Sequence, residues 1–309
     1  MDEARDGGKL WRIRSGIDHG AKMSKVSVHE IVVFILMAAA TSSIAYAQKI
    51  PAHAEGLEET LVSVQLDANR KQSGVYSIKS GTKDHAILAV LLPGYPSVVR
   101  PVVSDGVMVG SRLTGNFLIR ARRHLADSDI ALLTVDCHSD SGDYCSSGYQ
   151  ASKERQRDVQ MLIDSVKQQN PSLTKVWMIG TSMGTISSSF MPLHQPNAYA
   201  GAIHTASITE PYARNSYSEL ADFDYRKSGI PQFFVHHRDD PCRLTTHEGA
   251  ERIAKKFNFP LLTVYGGSGF QGNPCEAQTQ HGFKGVERQT MLAIAKIMKS
   301  GRADSLELR

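Results

Sequence analysis

The sequence predicts an α/β fold, with a mainly parallel central sheet and helices on both faces. Three observations carry that prediction. Residues 86–92 form an apolar run without alternation that suits a strand buried on both faces, and 130–135 and 231–236 read as further strands. Between them lie segments with helical spacing, such as 153–169, where Val159, Leu162, Ile163 and Val166 share one face. In the middle of the chain the run containing Val176, Trp177 and Ile179 stops at Gly180, and a small-residue helical segment begins two or three residues later. Ser182 therefore sits at a strand-to-helix reversal.

The first residues are read apart from the fold. The chain has 309 residues and opens with a mostly polar stretch that includes Lys22 and Lys25, followed by the apolar run 31–40. Thr41, Ser42 and Ser43 break that run well short of the roughly 20 apolar residues a membrane-spanning helix needs. Ala45-Tyr46-Ala47 then supplies a small-residue cleavage site. Residues 1–47 are thus expected to be an N-terminal extension and secretory signal peptide, with Met23 as an alternative start. Residues 48–309 are expected to form a single α/β domain, exported to a periplasm or secreted, with no stable membrane span once the signal is removed. Removing the first 47 residues takes six of 35 basic and five of 31 acidic side chains, leaving a net charge of +3. That balance argues against nucleic acid as a partner. The local basic cluster Arg120, Arg122 and Arg123 is expected to be the solvated face of a helix over 116–125.

Cys137, Cys145, Cys242 and Cys275 all lie in the exported portion, and an even count in an oxidising compartment reads as two disulfides. Three pairings are possible. Proximity within one Gly/Ser/Asp-rich loop favours Cys137 with Cys145, which leaves Cys242 with Cys275. No pair has C-x-x-C spacing, which argues against zinc.

Taken in order, residues 61–66 and 74–79 read as an opening antiparallel pair, and 86–92 as the first buried strand. It ends in Pro93-Gly94-Tyr95-Pro96, where only Gly94 and Tyr95 have an N–H to donate. This tetrad does not fit G-x-G-x-x-G, so no dinucleotide cofactor is expected. A helix over 116–125, the strand 130–135, the cysteine loop and the helix 153–169 follow. Beyond Ser182 come a helix over 182–190, a strand over 200–208 and a polar, aromatic insertion over 209–229 that bears Tyr212, Tyr217, Phe223 and Tyr225. That insertion would overlook the strand ends and shape a pocket. The strand 231–236, helix 246–257, strand 260–265 and helix 285–299 complete the alternation. The tail past residue 301 reads as unstructured.

Gly180-Thr181-Ser182-Met183-Gly184 fits a nucleophile at a tight turn, because Gly180 and Gly184 leave room for it and the Met183 N–H faces the same space as the hydroxyl. A serine hydroxyl needs an imidazole to take its proton as it attacks. His281 alone among the downstream histidines follows the last expected strand and precedes the final helix. The acid that orients it should directly follow a strand, which points to Asp239 or Asp240; Pro241 fixes the turn after Asp240, and Glu210 is the alternative. Reading His236, His237, Asp239 and Asp240 as a metal site fails because adjacent strand residues point to opposite faces.

These residues resemble the α/β-hydrolase superfamily over nearly all of residues 48–309. The elbow around Ser182 matches its pattern fully, and Asp240 and His281 match its acid and histidine by chain order. The chain departs from it in two places: His237 stands where a glycine is common before the acid, and Leu92-Pro93-Gly94-Tyr95-Pro96 replaces the histidine-glycine forms of lipases. The resemblance implies an oxyanion hole built from the Met183 and Tyr95 N–H groups. A serine nucleophile sets the chain apart from the superfamily's haloalkane dehalogenases and dienelactone hydrolases. The expected activity is hydrolysis of a carboxylic ester or similar small-molecule acyl substrate through Ser182, His281 and Asp240, without metal or cofactor, and lost in acid as the imidazole protonates. A peptidase or amidase on the same triad, and a silent binding protein of the same fold, are the competing readings.

Overall fold

A computed structural model describes residues 50–210 and 217–309, which belong to one compact unit spanning 49–309. The expected signal segment, and 211–216 of the expected insertion, lie outside the described residues. Among the described residues no helix is long and apolar enough to cross a membrane.

The opening strands are β1 (Leu57–Gln65) and β2 (Lys71–Lys79), paired antiparallel. The run predicted to be buried is β3 (Ile87–Leu92), with all six residues buried. A short hairpin follows, β4 (Val102–Ser104) and β5 (Val107–Gly110), which was not foreseen although Asp105-Gly106 turns it. Both turn residues have positive φ, the geometry that Asp-Gly supplies.

After α1 (Phe117–Arg120) come β6 (Ile130–Val135), α2 (Ser147–Gln150), α3 (Lys153–Gln169) and β7 (Lys175–Thr181). α4 (Thr185–His194), β8 (Gly201–Thr205), β9 (Gln232–His237), α5 (His247–Phe257), β10 (Leu261–Val264), α6 (Glu287–Ser300) and β11 (Glu307–Leu308) complete the fold. Among the described residues the sheet has nine strands in the order β1-β2-β6-β3-β7-β8-β9-β10-β11, parallel from β6 onward. The tail is therefore not unstructured: β11 extends the sheet beside β10.

Alternation along β3 shows why both sheet faces need helices. Ile87, Ala89 and Leu91 pack with Phe117 and Leu118 of α1 and with Met291, Ile294 and Ile297 of α6. Leu88, Val90 and Leu92 pack with Val159, Leu162, Ile163 and Val166 of α3 and with Met191 of α4. β3 thus supplies two cores.

The arginine cluster corrects the expectation of a solvated helix face. The helix is a single turn, and Arg122 beyond it is fully buried, its guanidinium forked onto both Glu59 oxygens at 2.8 and 2.7 Å. Burial alone would push the Glu59 carboxyl up; hydrogen bonds from Arg122, Ser77 and the Met108 N–H outweigh it and hold the pKa below the usual range. Arg120 donates to the Gly282 carbonyl at 2.6 Å and to Glu287 at 3.1 Å, tying α1 to the segment that carries His281.

Candidate active site

The strand β7 ends at Thr181, and the chain turns at once through a 3-10 turn, Ser182–Gly184, into α4. Ser182 has φ +51°, the left-handed region that a non-glycine residue occupies only where its surroundings impose it. Its own N–H donates to the Ala206 carbonyl at 3.1 Å and its carbonyl accepts from the Thr185 hydroxyl at 2.6 Å, which pins the turn on both sides. Both elbow glycines are required by space. A Cβ on Gly184 would lie 2.0 Å from the Leu92 carbonyl oxygen, and one on Gly180 would lie 2.6 Å from that of Gly184.

The segment after β3 presses against the same turn, since a Cβ on Gly94 would fall 3.0 Å from Ser182 Cβ. Asp136, at the end of β6, holds the far end of this loop by accepting from the Val99 and Arg100 N–H groups at 2.6 and 3.0 Å. The Ser97 hydroxyl donates to the Pro93 carbonyl at 2.9 Å, and the Tyr95-Pro96 bond is cis. Tyr95 lines the same cavity as Ser182, and Met183 lies in the 3-10 turn that leads into α4.

Asp240 lies just past β9, and His281 in a 3-10 turn (Gln280–Gly282) before α6. His281 Nδ1 is 3.1 Å from Asp240 Oδ2, with side-chain exposures of only 6% and 1%. Asp240 Oδ1 accepts from the Cys242 N–H at 2.9 Å, which fixes the carboxylate. The buried hydroxyl of Thr245 completes this group, 2.8 Å from Asp240 Oδ2 and 3.0 Å from His281 Nδ1. Sequence reasoning missed Thr245; its one signal was a hydroxyl residue five positions after the acid, in the same loop. The disulfide Cys242–Cys275 joins the loop of Asp240 to the loop of His281, and Cys137–Cys145 closes the other loop, so both favoured pairings are formed.

The alternatives to these residues are engaged elsewhere. Glu210 accepts from Thr246 and Arg252 at 2.6 and 2.7 Å. His204 bonds Ser188 and Gln232, His247 bonds Thr263, and His194 bonds the Ala151 carbonyl. His237, which replaces the expected glycine, bonds the Gly266 carbonyl through Nε2 at 2.8 Å and accepts the Asp239 N–H through Nδ1 at 3.0 Å, so it shapes the turn before Asp240. His236 is fully buried next to the group; burial pushes its pKa down to about 3, and its Nε2 accepts the Ser207 N–H at 2.8 Å.

Ser182 and His281 open onto one cavity of about 200 Å³, with Tyr95, Asn116, Phe117 and Glu276 among its walls. A larger cleft of about 500 Å³ runs between Arg120, His124 and Arg288, but Ser182 and His281 do not line it, so size alone does not locate the chemistry.

Solved structures share this arrangement of sheet and helices. Est1E from Butyrivibrio proteoclasticus superposes with a TM-score of 0.53 at 12% identity, covering 78% of this chain and 98% of that one. Brefeldin A esterase, described as a bacterial homologue of human hormone sensitive lipase, gives 0.53 at 12% identity, covering 82% of this chain and 79% of that one. The chain has the α/β-hydrolase fold. No protein-family model and no curated protein sequence matches it. Within an α/β-hydrolase fold, ligands meet the carboxyl ends of the parallel strands. Ser182 follows the end of β7 and Asp240 that of β9, while the loop leaving β10 leads to His281.

Proposed function

We propose that the protein is an exported serine hydrolase that cleaves carboxylic esters of small acyl substrates. The observation that carries this reading is the 3.1 Å contact between Asp240 and His281 at the wall of the cavity onto which Ser182 opens. In the proposed cycle the Ser182 hydroxyl attacks the ester carbonyl while His281 Nε2 takes its proton. Asp240 holds the Nδ1–H and stabilises the imidazolium. The tetrahedral oxyanion accepts hydrogen bonds from the Met183 and Tyr95 N–H groups. Its collapse breaks the bond to the alcohol, which leaves with the proton from His281. Water, deprotonated by the same imidazole, then attacks the acyl-enzyme and releases the acid and the free serine.

The ester preference is supported by the esterase of like fold, and export by the two disulfides together with the signal-like residues 1–47. A fluorophosphonate should add one label per chain, peptide mapping should find it on Ser182, and Ser182→Ala should take none. Labelling at another residue, or none at all, refutes the assignment. Intact mass of protein from the cell envelope or medium should show a chain beginning at Gln48; a full-length chain retained in the cytoplasm would refute export.

A further inference from the structure

Tyr95 is 65% exposed and Tyr144 is 40% exposed, so neither ring is held in place by a core. Tyr95 nevertheless lines the cavity of Ser182, and Tyr144 is held against Tyr95. Tyr95 belongs to the loop that presses on the nucleophile and lines its cavity. Tyr144 precedes Cys145, whose N–H donates to the Pro96 carbonyl at 3.0 Å and whose sulfur is bridged to Cys137, so the two loops are stitched together. The rings come to rest with centroids 5.8 Å apart and planes tilted by 48°. Tyr217 arrives from a third segment; burial, together with the nearby Tyr144 and Tyr95 phenols, pushes its pKa up to about 12.

Three distant stretches of chain thus bring tyrosines together, one of them on the wall of the cavity that Ser182 lines, and leave two of the rings open to solvent. That cavity, of about 200 Å³, has room for a short group on one side of an ester, so a larger substrate would extend out past Tyr95, beside which the Tyr144 ring lies. We propose that Tyr95 and Tyr144, backed by Tyr217, form an open shelf that binds an aromatic ring of the ester substrate. The inference rests on the serine hydrolase reading and adds a substrate class to it. Aromatic rings attract one another in offset or edge-to-face arrangements beyond the burial of area, an effect of roughly 3- to 10-fold in kcat/KM for one ring pair. A saturated ring of the same size lacks that attraction.

The test uses pairs matched in size and reactivity. Benzyl acetate against cyclohexylmethyl acetate places the ring on the alcohol, with a methylene insulating the leaving group. Ethyl phenylacetate against ethyl cyclohexylacetate places it on the acyl side. At least one pair should favour the aromatic member several-fold, and both Tyr144→Leu and Tyr144→Ala should bring that ratio close to one. Equal rates in both pairs for the unaltered protein, or a preference that survives both substitutions, overturns the shelf. If no ester is turned over, labelling of Ser182 by a small fluorophosphonate decides the hydrolase reading by itself. The shelf is then judged by ligand-observed NMR, in which benzyl alcohol should bind in preference to cyclohexylmethanol and lose that preference in Tyr144→Leu; equal binding overturns it.

Discussion

Replacing Thr245 with valine removes one hydroxyl from the proposed catalytic group at almost constant shape. The oxygen is fully buried and lies 2.8 Å from Asp240 Oδ2 and 3.0 Å from His281 Nδ1, so valine puts a methyl group where a hydrogen-bond donor faced a carboxylate. Asp240 keeps the Cys242 N–H on its other oxygen, and the backbone of its loop stays tethered by the disulfide. A hydrogen bond to a charged group is worth about 1.5–3 kcal/mol, and each 1.36 kcal/mol of barrier is tenfold in rate. Since the Asp240–imidazole pair matters most while the ring is charged, kcat should fall by roughly 10- to 100-fold with little change in KM. The rate is to be measured on a chromogenic short-chain ester and expressed per active site, counted by fluorophosphonate titration, so that partial unfolding does not pass for lost chemistry. Thr245→Ser keeps the hydroxyl and should recover most of the rate. A kcat for Thr245→Val within twofold of the unaltered protein would refute the role assigned to this hydroxyl.

Stability should fall in acid because of two buried histidines. Burial holds His204 at about 4 and His236 at about 3, whereas in the unfolded chain a histidine binds its proton near about 6.5. Between these values the unfolded chain carries the extra protons, so stability is complete above about 6.5 and declines as pH drops, by up to ~1.4 kcal/mol per pH unit for each histidine. Urea midpoints that stay flat from pH 7 to pH 5 would contradict this. Glu59→Gln leaves the Arg122 guanidinium buried without its counter-charge and should cost about 3–5 kcal/mol in urea unfolding; a loss below about 1 kcal/mol would mean that solvent or another group replaces the pair. The double substitution Cys242→Ser, Cys275→Ser opens a closure of 33 residues and should lower stability by about 4 kcal/mol on the chain-entropy model. Because the bridge joins the loops of Asp240 and His281, kcat should drop as well, and an unchanged kcat in the folded double variant would show that packing alone aligns them.

Much of the architecture was readable because it repeats a local rule. Buried parallel strands have no exposed face, so β3 appears as an unbroken apolar run, and α3 shows its single apolar stripe at the residues expected. The elbow was readable because steric demand falls on identifiable positions: the contacts awaiting a Cβ at Gly180 and Gly184 are what the spacing of small residues around Ser182 anticipated. What escaped has a different cause. The residues of β11 are a strand only because β10 offers an unpaired edge, and a two-residue segment carries no periodicity of its own. Arg120, Arg122 and Arg123 look like a solvated face until Glu59, more than sixty residues earlier, proves to lie beneath Arg122.

Chain order and residue chemistry alone were enough to nominate Ser182, Asp240 and His281, since the first two follow strand ends and the third lies between the last expected strand and the final helix, all of which local pattern identifies. They could not choose the partner that touches each group. That Thr245 bridges Asp240 and His281, and that Tyr95, Tyr144 and Tyr217 come close to one another, are outcomes of how distant loops pack. Hydrogen bonds and ring contacts act over a few ångströms in space, and separation along the chain does not report that distance until the sheet has brought the strand ends together.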